Sequence, residues 1–183
     1  ISKNTKHVSL DIMQGLATAV LPLDLSKNKD LLNLSICYPS RVVEPIEIDL
    51  SDNVNLEKLT IKGYYGSMLD LSANTALEEL VLTGYNEYFY IMPTINLSNN
   101  NVIKKLGLRR LNDTECDLSA FTALTELNIW NAPNLTTLDI SKNTALTRLE
   151  CRQTQLANLD VSKNTALTYL RCDFNKLTAL DVS

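Results

Sequence analysis

Histidine is almost absent from this chain of 183 residues: His7 is the only one, and Trp130 is likewise the only tryptophan. A single histidine leaves little for a zinc site, and the four cysteines, at 37, 116, 151 and 172, form no C-x-x-C pair. The same spacing argues against a compact disulfide scaffold. Basic excess is missing too. Lys and Arg number 17 against 21 Asp and Glu, a net charge of −4, which gives no reason to expect nucleic acid as a partner. No apolar run approaches the roughly 18 residues of a transmembrane helix. No signal peptide or lipidation motif is present, but the chain opens on Ile1 and reads as an excised piece, so membrane association would come only through flanking sequence. There is no glycine-rich phosphate loop, no nucleophile elbow and no G-G-x-G-x-D signature of calcium solenoids. No metal or cofactor is implied. Acid–base chemistry would have to rely on carboxylates such as Glu126 and Glu150, and Arg148 and Arg152 around Glu150 favour ion pairs over a raised pKa. The inventory argues against an enzyme.

What the chain does have is repetition. From Leu138 it reads LDISKNTALTRLEC and from Leu159, 21 residues later, LDVSKNTALTYLRC. The corner unit D-h-S-x-N, with h apolar, begins at Asp24, Asp49, Asp70, Asn96, Asp117, Asp139, Asp160 and Asp181. Counting from that residue, apolar side chains recur at plus 7, plus 10 and plus 12. The plus-10 column is leucine every time, at 10, 34, 59, 80, 106, 127, 149 and 170. Plus 10 and plus 12 are two apart, which is the period of a strand with one face buried. One turn cannot bury its own leucines, but stacked turns merge their columns into a continuous core. Every turn runs the same way, so the strands must be parallel and their connections right-handed. The expected architecture is a single solenoid over 1–183, of about eight turns, cut within a repeat at both ends.

The L-x-x-L-x-L pattern with later leucines, as in Leu124, Leu127, Ile129, Leu135 and Leu138, resembles the leucine-rich repeat. So do Leu146, Leu149, Cys151, Leu156 and Leu159. The short repeat with LDVSKNTALT is similar to internalin-type repeats and to surface proteins of gut Bacteroidetes. The resemblance implies an α/β-type superhelix with a parallel sheet on its concave face and irregular or 3-10 turns on its convex face. It also implies a bacterial protein that is secreted or displayed on the cell surface. The asparagine that usually follows the strand in that family is matched cleanly by Asn175 alone, with Thr154 and Ala132 in its place in other turns. An asparagine ladder is therefore not expected at that place.

The corner unit is read as a turn device in which Asp, Ser and Asn side chains accept hydrogen bonds from backbone N–H groups. Cys151 and Cys172 share one core column in adjacent turns and are expected to be core thiols rather than a disulfide, since neighbouring Cβ vectors in a parallel sheet point the same way.

Function is expected on the outward strand positions, plus 9, plus 11 and plus 13, which change at every step while the core stays constant. Seven of these residues are basic and five acidic. Trp130 stands out, with Arg109 and Arg152 flanking it in one column and Gly107 leaving a notch nearby; Arg148, Tyr169 and Arg171 extend the cluster. Such residues suit a binding hot spot, and they equally suit a self-stabilising stack. A second candidate is a post-strand edge carrying Tyr38, Tyr64, Tyr65, Tyr85, Tyr88 and Tyr90, either an exposed aromatic patch or the apolar cover of inserted loops. A protein ligand is the first expectation. A glycan at the tyrosine edge, a passive spacer and end-to-end self-association through uncapped termini are the alternatives.

Overall fold

The computed structural model describes residues 9–13, 23–38, 47–64, 66, 68–84, 94–111 and 113–180. Two compact units are distinguished, Ile1–Asn100 and Asn101–Ser183. In the first, β1 (Ser9–Met13), β2 (Asn33–Cys37), β3 (Lys58–Tyr64) and β5 (Glu79–Gly84) form a parallel ladder, and β4 (Met68–Asp70) pairs in parallel with β6 (Thr94–Asn96). In the second, β7 (Lys105–Arg109), β8 (Glu126–Trp130), β9 (Arg148–Arg152) and β10 (Tyr169–Arg171) form another parallel ladder.

The register is the one the leucine columns require. Leu10, Leu34, Leu59 and Leu80 are ladder partners in turn, as are Leu106, Leu127, Leu149 and Leu170. The plus-7, plus-10 and plus-12 side chains from Leu31 to Cys151 are buried, so each coil adds three apolar groups to the core of its own unit. The later leucines, Leu135, Leu138, Leu156 and Leu159, are buried too. Truncating one such leucine costs about 2–5 kcal/mol, because the stacked neighbours on both sides cannot collapse into the gap.

Asp behaves in the corner as the sequence predicts. Its Oδ1 accepts the N–H of the serine two residues on, at 2.8–3.0 Å from Asp24 to Asp160, and Asn96 does the same at 3.2 Å. Asn in the same unit does something else. The expected acceptor is a donor: Nδ2 of Asn53 reaches the carbonyls of Leu25 and Asn28 in the preceding coil at 3.1 and 2.9 Å. Asn74 and Asn100 repeat this in the first unit, and Asn143 and Asn164 in the second. Those carbonyls face the next coil, and one side-chain amide reaches two of them at once. The result is a buried asparagine ladder, displaced from the post-strand place where the family resemblance would look for it. Phe121 occupies the column in its own turn and brings no donor. At the post-strand place, among the described residues, the asparagine is Asn175, donating to the carbonyls of Cys151 and Cys172 at 2.6 and 2.9 Å.

In the second unit the plus-14 residue beyond each strand is left-handed, namely Arg110, Asn131, Gln153 and Phe174, and Gly63 takes the same conformation inside β3, all with φ between 52° and 74°. Only glycine takes this conformation without cost; other residues lose roughly 1 kcal/mol. The second unit adds a threonine ladder just before its strands: the hydroxyls of Thr125, Thr147 and Thr168 donate to the carbonyls of Lys104, Thr125 and Thr147 at 3.0–3.1 Å.

Candidate interaction surface

With the core side chains turned inward, alternation puts plus 9, plus 11 and plus 13 on the outward side of each ladder. In the second unit those positions form three columns across β7 to β10. Adjacent strands stand ~4.8 Å apart, so neighbours in a column touch.

The plus-13 column is Arg109, Trp130, Arg152 and Asp173. The Arg109 guanidinium lies 4.0 Å from the centroid of the Trp130 ring system, and that of Arg152 lies 5.9 Å away. Arg152 is turned toward Asp173, whose carboxylate accepts its Nε–H at 2.8 and 3.1 Å. Asp173 also pairs with Arg171 at 2.8 Å. The two guanidinium groups, Arg152 first, hold its carboxyl below the usual carboxylate range. The Trp130 indole N–H donates to the side-chain carbonyl of Gln153. Gln153 is the left-handed residue after β9, placed beside the ring by the chain reversal. Sequence reasoning missed this contact; the signal would have been the plus-14 residue of the following turn.

In the plus-9 column Lys105 pairs with Glu126 at 3.1 Å, and the Arg148 guanidinium lies 3.7 Å from the Tyr169 ring centroid. Arg148 also bonds to Glu150 in the middle column. That carboxylate is thereby held in an ion pair, as the flanking arginines lead one to expect. Elsewhere in the middle column Gly107 has no side chain, Asn128 is exposed, and Arg171 is the residue paired with Asp173. The structure thus brings together Arg109, Trp130 and Arg152 on one face, joins Arg171 to Arg152 through Asp173, and stacks Arg148 on Tyr169. The second unit carries five cations against three carboxylates on this side, and the first unit carries two of each.

Tyr85, Tyr88 and Tyr90 lie outside the described residues, as do Tyr65 and His7. Tyr38 and Tyr64 are 2 % and 1 % exposed, with ring centroids 6.5 Å apart. The Tyr64 hydroxyl donates to the Met68 carbonyl at 3.1 Å, and burial pushes both phenols up to about 12. These two rings cover the core beside the inserted segments instead of forming an exposed patch.

The four cysteines are free thiols. Burial raises Cys151 to about 12 and Cys116 to about 11, which removes thiolate reactivity near neutral pH. A groove of about 600 Å³ runs beside Cys116, lined by Asp117, Asp139 and Asp160. Each of those carboxylates is engaged by its corner serine. Among the described residues no three His, Cys, Asp or Glu side chains are grouped to hold a metal, and no helix is long and apolar enough to cross a membrane.

No protein-family model matches the sequence, and no curated protein matches it. Solved structures do. The functional domain of InlJ from Listeria monocytogenes, which includes a cysteine ladder, superposes with a TM-score of 0.74 at 23% identity, over 100% of this chain and 43% of that one. A leucine-rich-repeat protein of Leptospira interrogans gives 0.59 at 15% identity, over 86% of this chain and 47% of that one. The internalin InlF of Listeria monocytogenes gives 0.56 at 19% identity, over 85% and 52%. The chain thus spans about half the length of the structures it matches. Leucine columns, parallel register and these likenesses make the chain a leucine-rich-repeat solenoid with an internalin-like fold.

Proposed function

We propose that this chain is a non-catalytic, extracellular protein-binding module whose contact surface is the outward side of the second ladder. The supporting observation is a half-exposed tryptophan set between two guanidinium groups on a face where every rung differs, above a core where every rung is alike. Trp and Arg are the side chains that most often anchor protein interfaces. Arg152, Arg148 and Arg171 are fixed by intramolecular ion pairs, so little side-chain entropy remains to be lost on docking. Likeness to internalins supports a bacterial surface setting. The burial of Tyr38 and Tyr64 favours a protein partner over a glycan held at a tyrosine edge.

The test is affinity capture from extracellular proteins by three baits: the natural chain, Trp130→Ala, and Lys142→Ala in an exposed corner turn. The same captured protein should appear with the natural chain and with Lys142→Ala, and disappear with Trp130→Ala. Capture indifferent to Trp130 removes this face from consideration. Glycan binding that survives Trp130→Ala but is lost in Tyr88→Ala would establish the sugar reading instead.

A further inference from the structure

On the second ladder every outward cation except Arg109 has an anionic partner on the same sheet: Lys105 has Glu126, Arg148 has Glu150, and Arg152 and Arg171 share Asp173. Among the described residues Arg109 meets only the face of Trp130, and its Nε, covered from solvent, has no hydrogen-bond acceptor. A guanidinium on an aromatic face still carries its terminal Nη–H donors, because the cation–π contact uses the plane and not the N–H groups, and it is these, not the covered Nε, that a carboxylate would meet. Beside it the floor is low. Gly107 projects nothing, Asn128 is exposed, and the Lys105–Glu126 pair forms the opposite wall. The two walls are four residues apart along the strand, ~13 Å, which admits one extended chain between them.

We propose that this notch binds an acidic segment of a partner protein, with a carboxylate paired to the terminal Nη–H groups of Arg109 and an adjacent apolar side chain against the part of Trp130 that its flanking arginines leave exposed. The inference rests on the protein-binding reading and narrows it to one partner chemistry. Charge supports the choice: the outward side of the second ladder carries a surplus of two positive charges in a protein of net charge −4, whereas that of the first ladder is balanced. An acidic segment is drawn to the former face and not to the latter.

Trp130 is the chain's only tryptophan, so its emission reports on this site alone. The intact chain is titrated at low salt with a blocked peptide of four glutamates around one leucine, and with the same peptide carrying four glutamines. The glutamate peptide should give a saturable change in Trp130 emission, weakened by 0.5 M salt. Arg109→Gln should weaken it by about tenfold, and Lys62→Gln on the first ladder should leave it unchanged. Equal responses to the two peptides would overturn the acidic preference while leaving a protein-binding face in place. No response to either peptide, or an undiminished response in Arg109→Gln, would overturn the notch itself. Should Arg109→Gln fail to fold, the glutamine peptide and the salt series on the natural chain decide the matter alone.

Discussion

Asn143 shows how one side chain can hold two coils together. Its Nδ2 meets the carbonyls of Leu118 and Phe121 at 3.0 and 2.9 Å, and turning the amide round would set oxygen against two oxygens. Asn143→Ala leaves two buried carbonyls without a donor and should cost about 2–3 kcal/mol in urea unfolding. Asn143→Asp should cost more at pH 7 than at pH 3, since an ionised carboxylate faces the same two carbonyls and a protonated one can donate to one of them. The residue itself was plain in the sequence, but its role was not. A carboxamide both donates and accepts, and only the carbonyls of the neighbouring coil select between the two. Trp130 was legible as a solitary aromatic among arginines; its bond to Gln153 was not, because that glutamine reaches the ring only through the left-handed turn after β9.

The corner and the strand exit are the elements that repeat, and each carries a prediction. The Asp carboxyls of the corners, Asp24, Asp49, Asp70, Asp117, Asp139 and Asp160, are held below their ordinary value by hydrogen bonds from the serine two residues on. A folded pKa below the unfolded value of 3.8 means that the unfolded chain binds more protons in that window. Their contribution to stability is therefore complete above that value and is lost as pH falls through the lower folded values. Urea midpoints should decline on acidification below about pH 4, and replacing Asp117, Asp139 and Asp160 together by Asn should flatten the decline. Asn96 already makes the same corner bond with no charge. At the strand exit, Phe174 is 71 % exposed with φ of 58°. Phe174→Asn, copying Asn131 in the equivalent place, should raise the unfolding free energy by up to about 1 kcal/mol, read by the same titration. The strands after each corner were readable because burying one face imposes period two. The short pair β4–β6 was not: among the described residues it spans three residues in two turns, too brief to leave a periodic trace.

At the scale of the whole molecule the chain divides its residues between two tasks. Leucine, isoleucine and the ladder asparagines recur without much change and fix the stacking; the outward columns differ at every rung and set what is presented to a partner. The first set was legible because stacking makes each column solve the same packing problem repeatedly. The second is legible as a surface but not as a specificity, since an outward side chain is constrained by its partner more than by the fold. Adjacent residues on β8 hold the two tasks side by side: Leu127 is 1 % exposed in the core, and Asn128 is exposed on the other face. The most direct measurement is urea unfolding of Leu127→Ala beside Asn128→Ala at neutral pH. Leu127→Ala should lose about 3 kcal/mol and Asn128→Ala no more than about 0.5 kcal/mol. Equal losses, or a larger loss at Asn128, would contradict an inward leucine column shared between coils.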